Sequence, residues 1–518
     1  MALALTKLHA GCASSAVASR RARLGCLPPG LAAAPAAAAP LQRATRPARR
    51  AAPLARGAAK QHLYTAAPGA LDAPSPGFDS IAAALEDLAA GKFVVVLDDE
   101  DRENEGDLII AGDKVTTEAM AFMVEFTSGV ICIALPGADL DRLRLPLMVD
   151  SRENDESMYT AFTVTVDLRH GTTTGISAAD RAATIRALSD PAASADAFRR
   201  PGHIFPLRYR DGGVIVRPGH TEAAVDLSRL AGCSPAGVLC EIVDKDDGSM
   251  QRTPQLLAFA AAHGLKCITI ADLIRYRLRH EQLLQPVSSA PLHTRHGDFV
   301  AHVFRSAVDG KEHAALTCGA VGQQQKQQRQ QQQQQQAGGV LAAVHAQSSL
   351  VDVFGSLHCG REGFLDGALA ALAAEGEGVL LYVSPHQDGS DDGGSGAGGV
   401  ASGGMAAELE AYARQQRACS ANGAGASGRA SPLADLRDAA AAAHMLRHLG
   451  VGSVRLLSDR DADAQRLGAF GVEVAGLAGG AAAAAGAGGG SGGGAALNGA
   501  AHAPGGGAFG ARRPTAAV

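Results

Sequence analysis

Seven of the ten residues in DDEDRENEGD, residues 98–107, are acidic, and the only base among them is Arg102. The stretch follows a purely apolar run, Phe93–Leu97. Like charges this close raise one another's pKa or recruit a cation. Mg²⁺ is a hard cation that takes one or two carboxylates, keeps waters and also binds substrate oxygens. Alone, such a loop is more often a solvated turn than a metal site, so the rest of the chain has to supply partners.

Several short stretches do so. Arg217-Pro-Gly-His-Thr221 places a guanidinium, a close-approach glycine, an imidazole and a hydroxyl within five residues. Arg217 and Thr221 suit a phosphate, by a bidentate fork and a hydroxyl donor, and His220 suits a metal. A second Pro-Gly-His ends at His203, read as a rigid turn that aims the ring. Glu241 ends the apolar run Gly237–Cys240, and Gly171-Thr-Thr-Thr-Gly175 is a hydroxyl run fit to line a polar ligand. Each fragment singly is weak. Together they supply a metal pair, a phosphate clamp and two acid/base groups.

The elements that must hold these residues are legible in outline. Ile81, Leu85 and Leu88 mark a helix capped by Asp79 or Ser80 and stopped at Gly91. Residues 93–97 read as a buried strand, as do 129–135 and 266–270, and 162–168 alternates as a half-exposed strand. Residues 253–263 read as a helix, with another through Tyr276. Strands mixed with helices indicate an α/β (α+β) domain over 77–284. Beyond Pro286, a strand at 299–304, a helix at 363–374, strands at 378–383 and 453–457 and a helix at 439–448 indicate a second α/β domain over 290–475. Low-complexity stretches at 323–336 (almost all Gln), 388–405 and 420–431 interrupt it. The Gly/Ala-rich end, 477–518, reads as a disordered tail.

Charge is unevenly spread. Residues 1–71 hold no Asp or Glu and ten basic residues in an Ala/Arg/Ser/Pro background, whereas the whole chain carries −5. This favours an organelle transit peptide over 1–75 rather than a basic nucleic-acid-binding arm, and points to a chloroplast. Nine scattered cysteines with no CxxC pair do not form a disulfide framework. No apolar run is long enough to span a membrane. Aromatic–basic interleaving of the kind that binds single-stranded nucleic acid is absent, so neither membrane nor nucleic acid is expected as a partner.

DDEDRENEGD, TTTGISAADR, RPGHIFPL, RPGHTEAAVDL and GVLCEI, in this order, resemble the 3,4-dihydroxy-2-butanone 4-phosphate synthases of riboflavin biosynthesis. The resemblance covers 77–284. It implies an α/β homodimer that converts ribulose 5-phosphate to 3,4-dihydroxy-2-butanone 4-phosphate plus formate with Mg²⁺, two ions per site. Mn²⁺ suits the same carboxylate and imidazole ligands, and the leader points to the plastid stroma. By motif, the resemblance makes Glu103 and His220 metal ligands, with Glu105 contributing to a second ion. Arg102 and Asp107 contact substrate. Arg217, Gly219 and Thr221 cradle the phosphate, and His203 and Glu241 form the catalytic acid/base pair.

Residues 290–475 resemble GTP cyclohydrolase II, through VDGKEH, DVFGSLHC, Tyr412 and RLLS. That family holds a catalytic Zn²⁺ on three cysteines, and the corresponding positions here are Ser348, Cys359 and Arg361. Asp435 and Arg437 keep the family's Asp-x-Arg, but one thiolate beside a guanidinium cannot hold zinc. The expectation is no zinc, no GTP hydrolysis, and a scaffolding role that includes pairing with a competent homologue. The alternatives left open are a bifunctional enzyme and a non-catalytic subunit of the pathway.

Overall fold

The computed structural model describes residues 72–321, 338–356, 363–385, 405, 408–410, 412, 413, 432–458 and 460–479. The expected leader up to residue 71, the Gln tract, residues 388–404 and 420–431, the tail beyond 479, Cys359 and Arg361 lie outside them. The described residues all belong to one compact unit, Gln61–Val518. None of their helices is long and apolar enough to cross a membrane.

Among the described residues there are two seven-stranded mixed sheets. The first takes the order β4-β5-β3-β6-β2-β1-β7. Its strands are β1 (Val94–Leu97), β2 (Gly106–Ala111), β3 (Cys132–Leu135), β4 (Val166–Leu168), β5 (Phe198–Arg208), β6 (Gly237–Glu241) and β7 (Lys266–Thr269). β1 and β2 are buried along their whole length, as expected of central strands covered on both faces. One face carries Val95, Leu108, Ile133 and Val238, and the other Val94, Val96, Ile109 and Leu239. Helices cover both: α1 (Ile81–Ala89), α2 (Thr117–Phe126), α3 (Gly137–Arg142), α4 (Ala178–Leu188), α5 (His220–Leu230), α6 (Thr253–His263) and α7 (Ile270–His280). Ser80 caps α1 through its hydroxyl, whereas Asp79 binds the Cys267 amide. α6 has Pro254 in its first turn and stops at Gly264, whose φ of 65° lets it take the left-handed closing position.

The second sheet takes the order β14-β13-β11-β12-β10-β9-β8. Its strands are β8 (Leu284–Thr294), β9 (Gly297–Ser306), β10 (Glu312–Cys318), β11 (Val340–Ala346), β12 (Gly378–Val383), β13 (Ser453–Leu457) and β14 (Glu473–Ala478). Helices α8 (Ser349–Asp352), α9 (Phe364–Glu375), α10 (Pro432–His448) and α11 (Asp461–Ala469) accompany it. The core beneath α5 and α7 runs on without a break through Leu284 and α10 into Val340, Val379 and Leu381 of this sheet. Both halves therefore share buried apolar surface. His444 of α10 also meets the last turn of α7, with Nε2 3.0 Å from the Leu278 carbonyl.

Some expected elements change. Only Cys132–Leu135 of 129–135 is strand, because Gly129 turns the chain with φ 82°. Only Val166–Leu168 of 162–168 is strand, and Phe162 and Thr163 make isolated bridges. Arg200–His203 is no turn: it lies inside β5, where Gly202 admits the β4 backbone so closely that a Cβ would stand 2.0 Å from the Val166 carbonyl carbon. Ser75, expected in the leader, is buried, with its amide and hydroxyl both 3.0 Å from the Asp272 carboxylate.

Candidate active site

The acidic loop joins β1 to β2 and is folded around Asp98. This side chain, buried at the end of β1, accepts the amides of Glu103 and Glu105 at 2.9 Å and the Arg102 guanidinium at 3.0 Å. Arg102 also pairs with Glu103 at 2.5 Å. The loop therefore neutralises one of its own charges and turns Glu103 towards α5.

His220 is the first residue of α5 and is buried. Its Nε2 lies 3.1 Å from the Val96 carbonyl, which can only accept, so this nitrogen carries hydrogen. Nδ1 then faces Glu103 Oε2 at 3.4 Å and Asp107 Oδ1 at 3.9 Å. A backbone carbonyl on one ring nitrogen is the usual way to fix a histidine that ligates a metal with the other. Burial works against a charged ring here, but Asp107, Glu103 and Asp98 outweigh it and raise the His220 pKa to about 9. Burial would also raise Glu103, yet the His220 hydrogen bond and the Arg102 charge hold it at about 2. Asp107 goes the other way: burial, reinforced by Glu241 and Glu103 against the pull of His220, raises it to about 7. Its buried Oδ1 has no hydrogen-bond partner among the described residues.

Asp98, Glu103 and His220 offer ligand atoms within 4.8 Å of one another. An oxygen-rich set with one imidazole fits Mg²⁺ or Mn²⁺. The orphaned oxygen of Asp107 beside it fits a site that receives a cation or a substrate hydroxyl. Burial and the neighbouring Glu103 also raise the Glu105 pKa.

Glu241 sits opposite Asp107 in the β2–β6 register, so both side chains share one face of the sheet. Ser128 donates to its Oε2 at 2.6 Å. Phe205 and Leu207 of β5 pack into the core on that same face. His203, two residues before Phe205, points the same way. One strand, β3, separates β5 from β6. Two strand spacings of about 4.8 Å thus set the backbones of His203 and Glu241 about 10 Å apart, so that their side chains can flank a small sugar phosphate lying on this face.

His203 is not free to rotate. Asp167 on β4 accepts its Nδ1 at 2.8 Å and its backbone amide at 2.9 Å. The hydroxyl run 171–175 wraps this pair. Asp180 holds it by the Thr173 hydroxyl at 2.6 Å and the Gly175 amide at 3.1 Å.

Arg217 is buried and pairs with Glu222 of α5 at 2.7 Å. Its other terminal nitrogen reaches the Met158 carbonyl at 2.9 Å. It therefore ties the 156–160 loop to the start of α5 as well as facing the site. A Cβ at Gly219 would stand 2.5 Å from Arg217 Nη1 and 3.0 Å from Arg102 Nη2. Two guanidinium groups thus converge where α5 begins, beside Gly219 and the buried Thr221. Unpaired amides at a helix start and two cations form a place for an anion.

All ten residues expected from motifs lie in this region of the first sheet, around the β1–β2 loop, the middle of β5, the end of β6 and the start of α5. Asp98, Asp167, Ser128 and Asp180 were not foreseen as its supports. Asp167 gave one signal, as the single charged residue in the alternating 162–168 run.

The chain matches two families: 3,4-dihydroxy-2-butanone 4-phosphate synthase over residues 82–276, and GTP cyclohydrolase II over residues 285–478. It is 45% identical over 406 residues to the probable bifunctional riboflavin biosynthesis protein RIBA 1, chloroplastic, of Oryza sativa subsp. japonica, covering 78% of this chain and 70% of that one. It is 43% identical over 407 residues to the monofunctional riboflavin biosynthesis protein RIBA 2, chloroplastic, of Arabidopsis thaliana, covering 78% of each. Among solved structures it is similar to RibBX, a two domain 3,4-dihydroxy-2-butanone 4-phosphate synthase from A. baumannii, with TM-score 0.54 and 34% identity over 74% of this chain and 94% of that one. The chain belongs to the riboflavin biosynthesis proteins that join a synthase domain to a GTP cyclohydrolase II domain, and its first half is a 3,4-dihydroxy-2-butanone 4-phosphate synthase.

Proposed function

We propose that the first half converts D-ribulose 5-phosphate to 3,4-dihydroxy-2-butanone 4-phosphate plus formate in a Mg²⁺-dependent reaction, at the site between the acidic loop, α5 and β5. The observation that carries this reading is the convergence of Glu103, His220 and the orphaned Asp107 oxygen on one point. Glu103 and His220 hold the cation, with Asp98 behind them and Glu105 placed for a second ion. When bound, the cation would supply a Lewis acid for the negative charge that develops on the substrate's oxygens.

The chain's own groups do the rest. Arg102, Arg217, Thr221 and the first amides of α5, with Gly219 giving access, hold the phosphate, and Asp107 accepts a sugar hydroxyl. His203, oriented by Asp167, and Glu241, oriented by Ser128, move the protons: one off the carbon beside the carbonyl, others to and from the departing water. The skeleton rearranges, a water adds back at the fourth carbon, and that carbon leaves as formate. The two products together contain the atoms of the substrate, so no oxidant is needed. Chelation of divalent cations in the full chain should abolish formate release, and added Mg²⁺ should restore it. Undiminished release in chelator would contradict the metal role.

In the second half, we read the cyclohydrolase activity as lost. Ser348 stands at an expected thiolate position, and its hydroxyl and the amides of Ser349 and Leu350 are bound to Glu408. Its own amide donates to Asp352 at 3.0 Å, beside His345 and Tyr382 on the same carboxylate. Asp435 pairs with Arg466 at 2.6 Å, and Arg437 is buried, lining a small cavity with Leu278 and Leu283. These residues read as structural glue, and a scaffold that can pair with a competent homologue suits them. The rival reading, an active cyclohydrolase, draws on the rice relative named as probable bifunctional, whereas RibBX, a two-domain chain named as a synthase, favours ours. Stoichiometric zinc in the purified protein would support the rival.

The synthase half acts as a homodimer in this reading. Val130, Met148, Val149 and Ile176 are exposed apolar residues around the site that a second copy would cover. The acid-free leader and the chloroplastic relatives support import into the plastid stroma.

A further inference from the structure

The acidic loop is gripped by a side chain from outside it. Arg252 ends the connection that follows β6 and immediately precedes α6. Its Nη1 donates to the Glu103 carbonyl at 2.8 Å and also to the Asn104 carbonyl. It lies 3.7 Å from Glu105 Oε1. From the other direction Asp98 accepts the amides of Glu103 and Glu105, both at 2.9 Å. The peptide groups flanking Glu103 are therefore held on their N–H side by a carboxylate and on their C=O side by a guanidinium.

The backbone there needs such holding. Asn104 is left-handed, with φ 54°, a conformation that costs a residue with a side chain free energy. α6 also fixes the loop's exit, since Leu256 Cδ1 stands 2.5 Å from where a Cβ on Gly106 would be. One segment, 241–256, thus carries Glu241 at one end and the grip on Glu103 at the other.

We propose that Arg252 is a positioning residue for Glu103, one that sets the cation affinity of the site while touching neither cation nor substrate. This rests on the reading of Glu103 and His220 as cation ligands. Arg252 is partly exposed, at 44% for its side chain. A merely structural surface arginine would change little when removed. A group that orients a ligand changes metal affinity by about 10–100-fold.

The test titrates Mn²⁺ into the full chain without substrate, following free Mn²⁺ by electron paramagnetic resonance. Arg252→Ala should weaken binding by about 10–100-fold. At saturating cation its kcat should stay within about threefold of the parent, because the reacting groups are untouched. Arg252→Lys, which keeps the charge but not the two-carbonyl reach, should fall between. An unchanged dissociation constant in Arg252→Ala overturns the proposal, as does a loss of kcat with unchanged binding. Should the alanine variant fail to fold, Arg252→Gln keeps a polar side chain but is uncharged and too short to reach both carbonyls, so parent-like binding by it overturns the proposal equally. A parent chain that binds no Mn²⁺ overturns the cation reading itself, and this is seen before any variant is compared.

Discussion

His203 Nδ1 stands 2.8 Å from Asp167 Oδ2, while the His203 amide donates to the other oxygen of the same carboxylate at 2.9 Å. An ionised carboxylate only accepts, so Nδ1 carries the hydrogen and Nε2 keeps its lone pair for the substrate. The ring's tautomer and direction are set by one neighbour. Asp167→Asn preserves the shape but lets the wrong tautomer form. It should lower kcat by about 10²–10⁴-fold, with Mn²⁺ affinity and melting temperature little changed. A variant with near-parental kcat would mean that the dyad plays no part in proton transfer.

Gly175 makes that dyad sterically feasible. A Cβ there would stand 2.1 Å from Asp167 Oδ2 and 2.8 Å from His203 Nδ1, and the residue has φ 98°. Gly175→Ala should cost about 2 kcal/mol or more and lower activity by displacing Asp167. Differential scanning calorimetry and steady-state kinetics would read both effects. A parent-like melt together with parent-like kcat would be inconsistent with this packing.

Much of the site was legible because its chemistry is written in local words. An acidic loop, two Pro-Gly-His steps and a hydroxyl run are visible at fixed spacings. Their supports are not local. Asp167 reaches His203 across 36 positions and Arg252 reaches Glu103 across 149. No periodicity announces such pairs. The fold shows the same division. Residues 253–263 form a helix as the pattern indicates, since apolar spacing, an early proline and a closing glycine agree there. β5 was missed because Arg-Arg-Pro-Gly-His breaks every rule of strand composition, and only the approach of β4 over Gly202 explains it. β8 was missed for a related reason: Pro286 and Pro291 sit in it, which an edge strand tolerates.

The contact between the halves should respond to pH. Burial, then the nearby Arg447 charge, lowers the His444 pKa from 6.5 to about 4, against the pull of the Leu278 carbonyl. The folded state thus prefers the neutral ring. Its stabilising contribution is complete above pH 6.5 and fades as pH falls towards 4, by an amount on the order of 3 kcal/mol. Thermal melts between pH 7 and pH 4 should show this loss, and His444→Gln should flatten it. The same slope in parent and variant would assign the acid sensitivity to other groups.

Behind α5, Asp226 is buried and accepts from Arg277 at 2.7 Å, Tyr209 at 3.0 Å and the Val214 amide at 2.9 Å. Removing one partner strands the other charge. Arg277→Met should cost about 3–5 kcal/mol, while the double change Asp226→Leu with Arg277→Met should cost clearly less. Urea unfolding of the parent, Asp226→Leu, Arg277→Met and the double variant would show it, and additive losses would argue against coupling of the pair.

The most direct measurement uses the formate that both candidate reactions release. The full chain, supplied with Mg²⁺, is offered ribulose 5-phosphate and GTP separately, and formate is quantified from each. The account predicts formate from the sugar phosphate, lost in Glu103→Gln, and none from GTP. Formate from GTP would contradict the loss of the second activity, and a folded chain that releases none from ribulose 5-phosphate would contradict the synthase site itself.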